Sequence, residues 1–384
     1  MLQPVSYSNT DGGHHITTSS NRERLAGDRV FDSTSLAEFD CVIDARSPDE
    51  FAHDHMPGAL NYPVLDNDQR HQVGLLHSTD SFAARRLGAT MVARNCANHV
   101  EKHMNSQPRS WKPLVYCWRG GQRSSAFVHI LRQIGWPAHR LVGGYKAWRR
   151  QVVHDLDNWP VRFDFHIISG ATGSGKSRLL EALAGAGAQV LHLEQMAAHK
   201  GSVLGAAPKP QPSQKMFESR IWQALREFDP RKRVYVEAES RRIGLLHVPA
   251  AVLQRMRDGT CLYVEASLAE RVEFLLADYA PRLREPQWLL AQLRRLASLH
   301  GCETIKRWEE LARHGEYRLL ATDLLHKHYD PLYRKSLARN FPHVQQVLHT
   351  EDLSPAGISQ LAWRVLECSN RPSNKLASAV ESNV

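Results

Sequence analysis

The eight residues Gly170-Ala171-Thr172-Gly173-Ser174-Gly175-Lys176-Ser177 constrain this chain more than any other stretch. They follow the apolar run Phe165-His166-Ile167-Ile168 and precede Leu179, Leu180 and Leu183 at helical spacing. A G-x-x-x-x-G-K-S loop between a strand and a helix commits its surroundings to an α/β layer with a parallel sheet. Gly170, Gly173 and Gly175 let backbone N–H groups turn inward around a phosphate, Lys176 adds a point charge, and Ser177 can hold a magnesium ion. The usual second magnesium ligand is an acidic residue ending a neighbouring strand. Val234-Tyr235-Val236-Glu237-Ala238-Glu239 offers glutamates there, so Ser177 and Glu237 are the candidate metal ligands.

A second loop of similar placement is Cys117-Trp118-Arg119-Gly120-Gly121-Gln122-Arg123-Ser124, between the apolar run Leu114–Cys117 and the helical pattern Phe127, Ile130, Leu131, Ile134. Inward N–H groups, a helix N-terminus and two arginines favour thiolate over thiol, which marks Cys117 as a nucleophile. Arg119, Gly120, Gly121 and Arg123 then form its anion-binding loop. The Cys-x5-Arg-Ser spacing is also that of cysteine-dependent phosphatases, although those normally carry His where Tyr116 stands. A phosphatase domain fused to a P-loop kinase-like domain therefore remains the alternative. The other five cysteines show no C-x-x-C spacing, which argues against a disulfide framework and a zinc site.

These loops sit in two blocks of alternating strand and helix signals. The first spans residues 35–157, the second 158–368, with strands expected at Val190–Leu193, Val234–Val236 and Cys261–Val264 and helices beyond Ala266. Residues 1–34 and 369–384 are rich in small polar residues and read as disordered tails. Hydrophobic residues make up 42% and charged residues 23%, as in ordinary globular proteins, so a folded soluble protein is expected. No apolar run approaches the roughly 18 to 20 residues of a membrane span, and residues 1–21 lack a signal peptide's apolar core, so the expected compartment is the cytoplasm without membrane association. Lys and Arg number 49 against 40 Asp and Glu, a net charge of +9 that favours a polyanionic partner.

Asp44-Ala45-Arg46-Ser47-Pro48-Asp49-Glu50-Phe51 and His55-Met56-Pro57-Gly58-Ala59-Leu60-Asn61 resemble the rhodanese signature, and Cys117 stands where rhodaneses carry sulfur. Rhodanese sulfurtransferases usually have a loop one residue shorter, which suggests a larger bound anion here. With Val142–Ala147, His199–Ser202, Gln211–Gln214, Glu237–Gly244 and Tyr329–Tyr333, nearly the whole chain resembles bacterial tRNA 2-selenouridine synthases. The resemblance implies a rhodanese-like parallel-sheet domain followed by a P-loop NTPase-like α/β domain with a helical C-terminal region. It further implies replacement of sulfur by selenium at C2 of the wobble uridine, through an S-geranyl-2-thiouridine intermediate. Selenophosphate, supplied by a selenophosphate synthetase, and geranyl diphosphate would be the substrates; no tightly bound cofactor is expected beyond a magnesium ion. The tRNA would be held through phosphates, with Arg241, Arg242, Arg334 and Lys335 as candidates. One uridine must meet both loops, so the base has to reach both domains or the domains must swing about a linker near Asp157–Arg162.

Overall fold

The computed structural model describes residues 28–30, 33–200, 210–341 and 344–369. The tail expectations for residues 1–27 and 370–384, and Gly201 and Ser202 of the His199–Ser202 motif, lie outside the described residues. Twelve strands, β1 (Asp28–Val30), β2 (Cys41–Asp44), β3 (Leu60–Asn61), β4 (Pro113–Tyr116), β5 (His139–Val142), β6 (Asp164–Ser169), β7 (Gln189–Leu191), β8 (Arg233–Glu237), β9 (Arg242–Ile243), β10 (Leu246–His247), β11 (Thr260–Ala266) and β12 (Val344–Thr350), form two larger sheets and one hairpin among the described residues. The first sheet has the order β1-β5-β4-β2-β3 and the second β12-β11-β6-β8-β7, every pair parallel; β9 and β10 pair antiparallel.

In the first sheet's layer lie helices α1 (Pro48–His53), α2 (Asn67–Thr79), α3 (Ser81–His103), α4 (Gln122–Ile134) and α5 (Gly144–Asn158). With the second sheet come α6 (Lys176–Gly185), α7 (Leu193–Met196), α8 (Gln214–Glu227), α9 (Ala250–Arg257), α10 (Leu268–Leu283), α11 (Pro286–Arg294), α12 (Ala297–Arg313), α13 (Tyr317–Leu324), α14 (Asp330–Asn340) and α15 (Pro355–Ser369). The local chemistry follows the sequence closely at several ends. Ser47 and Glu50 close a capping box with Pro48 in the first turn of α1, and Gly135, at φ 108°, ends α4. The expected strands at 234–236 and 261–264 are β8 and the middle of β11, while the one expected at 190–193 is shorter: β7 ends at Leu191 and Leu193 opens α7.

Two segments differ from the sequence reading. Asp28–Val30, assigned to the tail, is strand β1 and pairs with β5 from Asp28↔Arg140 to Val30↔Val142, so the first domain starts before residue 35. Arg140 fixes it through an ion pair with Asp28. The region beyond Ala266 is helical except for β12, an edge strand that β11 recruits over Cys261–Ala266. Its polar Gln345, Gln346 and His349 give it no apolar run to recognise.

The domains share a core. Helix α5 passes through a single 3-10 turn, Pro160–Arg162, directly into β6, and Pro160 is buried. Trp148 of α5 meets Trp222 of α8 edge-on at 6.2 Å, while Trp159 stacks on Trp222 at 6.1 Å. The Trp222 indole N–H donates to Asp155 Oδ2 at 2.8 Å. One apolar cluster runs without a break from Leu114 and Tyr116 through Trp148, Val152 and Leu156 to Phe165, Phe217, Trp222 and Val252. Residues 157–162 are therefore no hinge, because swinging the domains would expose that apolar surface to water. Trp222→Ala is expected to destabilise the full chain by about 3–5 kcal/mol, with both domains melting in one transition. Calorimetry checks this; two separate transitions in the wild type would contradict the shared core.

Candidate active site

Cys117 leaves the carboxyl end of the central strand β4, 3% exposed, at the N-terminus of α4. The Gly121 N–H donates to its Sγ at 3.3 Å, and Ser124 Oγ lies 3.2 Å from the same sulfur. Tyr145 and Lys146 N–H groups donate to the carbonyls of Cys117 and Trp118 at 2.9 and 3.0 Å, which fastens the loop to the start of α5. Glycine is needed at position 144: φ is +55°, and a Cβ would strike Cys117 O and Gly120 N. This accounts for the Gly-Gly of Val142–Ala147.

The two loop arginines are not equivalent. Arg123 forms a two-pronged pair with Glu50, at 2.7 and 3.3 Å. Glu50 is itself pulled below the usual carboxylate range: burial alone would raise it, and the Arg123 guanidinium outweighs that. Arg119 is exposed beside the loop. Gly120 O accepts from Arg140 at 2.9 Å, an anchor that the sequence reading missed because Arg140 lies on β5. Burial pushes the Cys41 thiol up to about 11 and that of Cys96 up to about 12, so both stay protonated near neutral pH. Asp44 and Arg46 of the Asp44–Phe51 run are structural: they pair in full burial at 2.6 Å, and the Arg46 guanidinium lies 4.0 Å from the Tyr145 ring centroid.

The second loop leaves the carboxyl end of β6. Gly170, at φ +152°, packs where a Cβ would meet Ser174 Oγ and Val264 O. Its N–H donates to the Tyr333 hydroxyl at 2.6 Å. Lys176 curls over the loop to donate to the carbonyls of Gly170 and Ala171 at 2.5 and 3.2 Å, with its ammonium 5.3 Å from the Tyr333 ring centroid. Burial draws the Lys176 ammonium below its ordinary value, although Glu194 and Glu239 oppose this. Arg271 donates to Thr172 O at 2.9 Å and pairs with Asp330 at 2.6 Å. Tyr329–Tyr333 thus embraces the P-loop twice, through Tyr333 directly and through Asp330 and Arg271.

The acidic partner of Ser177 differs from the one expected. Ser177 Oγ donates to Glu194 Oε2 at 3.0 Å, whereas Glu237 accepts the Leu193 N–H at 3.1 Å. The turn from β7 into α7 crosses the end of β8 and brings Glu194 to the loop; no run or spacing in the sequence marks it. Glu237 is pushed up to about 8, by burial first and then by Glu194, and Glu239 is raised for the same two reasons. Among the described residues no group of three or more His, Cys, Asp or Glu side chains is arranged to hold a metal. The hard oxygens of Ser177 and Glu194 nevertheless suit a magnesium ion completed by substrate phosphate oxygens and water.

Glu237 has a measurable consequence. Its folded value, about 8, lies above the ordinary 4.5, so between these pH values the unfolded chain binds fewer protons. Stability should fall as pH rises through that window. In the presence of chelator, Glu237→Gln is expected to flatten this dependence and to exceed the wild type above pH 8 by a few kcal/mol. Urea midpoints at pH 6 and pH 8.5 read it; parallel pH profiles would refute the assignment.

The other motifs join the parts. Gln211 donates to Ala197 O at 3.0 Å and Ile243 O at 3.1 Å, Gln214 clamps the backbone of His247, and the Ser213 hydroxyl caps α8 while donating to His53 O of the first domain. A chain of hydrogen bonds also links Tyr145, beside the cysteine loop, to α8. Tyr145 donates to Asp54 Oδ2 at 2.7 Å, and Ser219 donates to Asp54 Oδ1 at 2.8 Å. No described helix is long and apolar enough to cross a membrane.

Residues 31–151 match the family model for the rhodanese-like domain, and residues 163–298 that for the tRNA 2-selenouridine synthase AAA domain. A tRNA 2-selenouridine synthase of Bdellovibrio bacteriovorus is 32% identical over 346 residues, which cover 78% of this chain and 89% of the relative. That of Marinobacter nauticus is 30% identical, with 78% and 88% covered; that of Cupriavidus necator is 35% identical, with 63% and 66% covered. A solved structure described as the N-terminal domain of a putative ATP/GTP binding protein from Clostridium difficile 630 aligns at 29% identity over 32% of this chain and 98% of that one, with a TM-score of 0.28. Both domain models match in the order in which the two sheets occur, and two relatives are matched over nearly nine-tenths of their length: the chain belongs to the tRNA 2-selenouridine synthase family.

Proposed function

We propose that this tRNA-modifying enzyme exchanges the C2 sulfur of a wobble 2-thiouridine for selenium in two steps, one at each loop. At the P-loop the thiocarbonyl sulfur attacks C1 of geranyl diphosphate; a C–S bond forms, the C1–O bond breaks and diphosphate leaves. Lys176 and the loop N–H groups would take up the negative charge of that leaving group, and a magnesium ion on Ser177 and Glu194 would share it. Alkylation turns a poor leaving group into a thiol. The Cys117 thiolate would then attack the phosphorus of selenophosphate, the P–Se bond breaks, the selenide released adds at C2 and geranylthiol departs, while water frees the thiolate from its phosphoryl group as phosphate. Arg119 and the Gly120–Gly121 backbone would face the tetrahedral anion, with Arg123 set against Glu50 at its edge. Selenophosphate comes from a selenophosphate synthetase, and the work takes place in the cytoplasm, where tRNA is.

The observation that carries this reading is the pair of glycine-rich loops, one holding a buried cysteine under the Gly121 N–H and one a lysine, at the strand ends of two sheets joined through one core. A rigid pair suits successive reactions on one base better than two independent hydrolytic domains. The phosphatase alternative is weakened by Arg123, whose guanidinium is engaged by Glu50, and by Tyr116, which is fully buried. The test compares tRNA carrying 2-thiouridine with unthiolated tRNA, p-nitrophenyl phosphate and ATP. Alkylation of the thiolated tRNA alone is expected. TRNA-stimulated ATP turnover that geranyl diphosphate does not inhibit would overturn the reading. The net charge of +9 calls for phosphate contacts, with Arg241, Arg242, Arg334 and Lys335 as candidates, so tRNA affinity should fall steeply between 50 and 200 mM salt, by roughly 10³-fold for six contacts.

A further inference from the structure

The turn between α13 and α14, Leu325–Tyr329, is a π turn, which adds one residue to the helical path and is frequent at functional sites. His326 and Lys327 on it face solvent, whereas His328 is 3% exposed and lines the cleft of the P-loop together with Lys176, Ser177 and Tyr333. From the other side His300 reaches it: His300 Nε2 lies 2.8 Å from His328 Nδ1, and the two rings meet edge-on at 5.0 Å. His300 stands directly before Gly301, whose φ of 74° and ψ of 165° break α12. Two departures from regular helix thus meet at one pair of histidines. A core that only needed filling would use leucine there, as the cluster around Leu293, Leu296 and Leu320 does.

With Nδ1 engaged by His300, Nε2 of His328 has no hydrogen-bond partner among the described residues and is the ring atom left open to the cleft. Burial, and then the neighbouring His300, hold the His328 imidazole below its ordinary value, so it is neutral at pH 7 and able to accept a proton. The carboxylates of the cleft are engaged elsewhere. Glu194 accepts from Ser177 and, with Glu239, acts on the Lys176 ammonium, while Asp278 pairs with Lys200 and Arg178, and Glu181 with Arg178. Burial holds the Tyr333 hydroxyl in its protonated form, and Tyr279 and Tyr329 line the same wall.

We propose that His328 is the general base of the alkylation step: its Nε2 takes the N3 proton of the 2-thiouridine as the sulfur attacks, and His300 is the positioning residue that fixes its tautomer. The proposal rests on the reading of the P-loop as the alkylation site. S-alkylation leaves on N3 a proton that the neutral product does not carry, so a base is required. In the step the N3–H electrons become the N3=C2 double bond, the C2=S pair forms the new S–C1 bond, and the C1–O pair leaves with diphosphate. His328 Nδ1–H donates to His300 Nε2 and passes its own proton there as Nε2 takes up the new one; the half-buried His300 returns it to water.

The test is the pH profile, from pH 5.5 to 9.5, of single-turnover geranylation of 2-thiouridine tRNA by the full-length chain. The wild-type rate should rise through an acid limb below the ordinary histidine value of 6.5 and then stay flat. His328→Asn, which keeps a donor toward His300 but no base, should lose about 100-fold at pH 7. The loss should shrink as pH rises, because the thiouridine then ionises by itself, and affinity for geranyl diphosphate should remain that of the wild type. His300→Gln, which can still accept from Nδ1–H, should retain most of the rate, and His300→Leu should lose about tenfold. A wild-type rate that climbs steadily to pH 9.5 overturns the proposal without any variant. So does a His328→Asn rate that runs parallel to the wild type at every pH, which is what lost packing alone would give, or a pH-dependent loss that appears in Glu239→Gln and not in His328→Asn. In each of these cases alkylation proceeds and the P-loop reading stands; a wild type that alkylates no thiolated tRNA at any pH removes that reading and the proposal with it.

Discussion

Lys176→Ala is expected to slow geranylation of 2-thiouridine tRNA by about 100- to 1000-fold, the range seen when one preorganised charge donor is removed from a reacting oxyanion. The effect should be this large because Tyr333 and the Gly170 and Ala171 carbonyls fix the position of the half-buried ammonium, which a mobile water would not reproduce. The fold should survive: Lys176 stands in the first turn of α6, and the loop is braced independently by Tyr333 on Gly170 and Arg271 on Thr172. Single-turnover assays of the S-geranyl nucleoside measure it. A loss smaller than about tenfold would mean that the charge of the leaving group is carried elsewhere, with Arg271 the next cation at hand.

Cys117→Ser should abolish selenation and leave geranylation in place, so that S-geranyl-2-thiouridine accumulates. The substitution changes one atom in a site whose contacts, the Gly121 N–H and the Ser124 hydroxyl, an oxygen can also satisfy. Stability and tRNA affinity should stay close to those of the wild type, because the loop is pinned by backbone bonds to Tyr145 and Lys146 rather than by the sulfur. Intact-protein mass spectrometry after exposure to selenophosphate should find a phosphoryl adduct on the wild type alone. A Cys117→Ser protein that still makes selenouridine would remove Cys117 from the chemistry.

Both loops were legible in the sequence because their chemistry is local: glycines, a lysine or a cysteine, and a helix start within eight residues of a strand. What escaped is held by partners distant in sequence. Arg123 looked like a free anion ligand until Glu50, 73 positions away, proved to hold it; Glu50 itself was readable only as a helix cap. Glu194 replaced Glu237 beside Ser177 because the crossing of α7 over β8 is a tertiary fact. The stretch around Trp159 and Pro160 resembled a linker, and only the stacking of Trp159 on Trp222 shows that the chain is welded there. Strands β1 and β12 are edge strands, with one sheet partner each and too little apolar pattern to announce themselves.

Geranylation must precede selenation. Nucleoside mass spectrometry of 2-thiouridine tRNA incubated with the enzyme, geranyl diphosphate and selenophosphate, each omitted in turn, tests it most directly. The expected result is selenouridine only when both are present, S-geranyl-2-thiouridine when selenophosphate is left out, and unchanged tRNA when geranyl diphosphate is left out. Selenouridine formed without geranyl diphosphate would contradict the account.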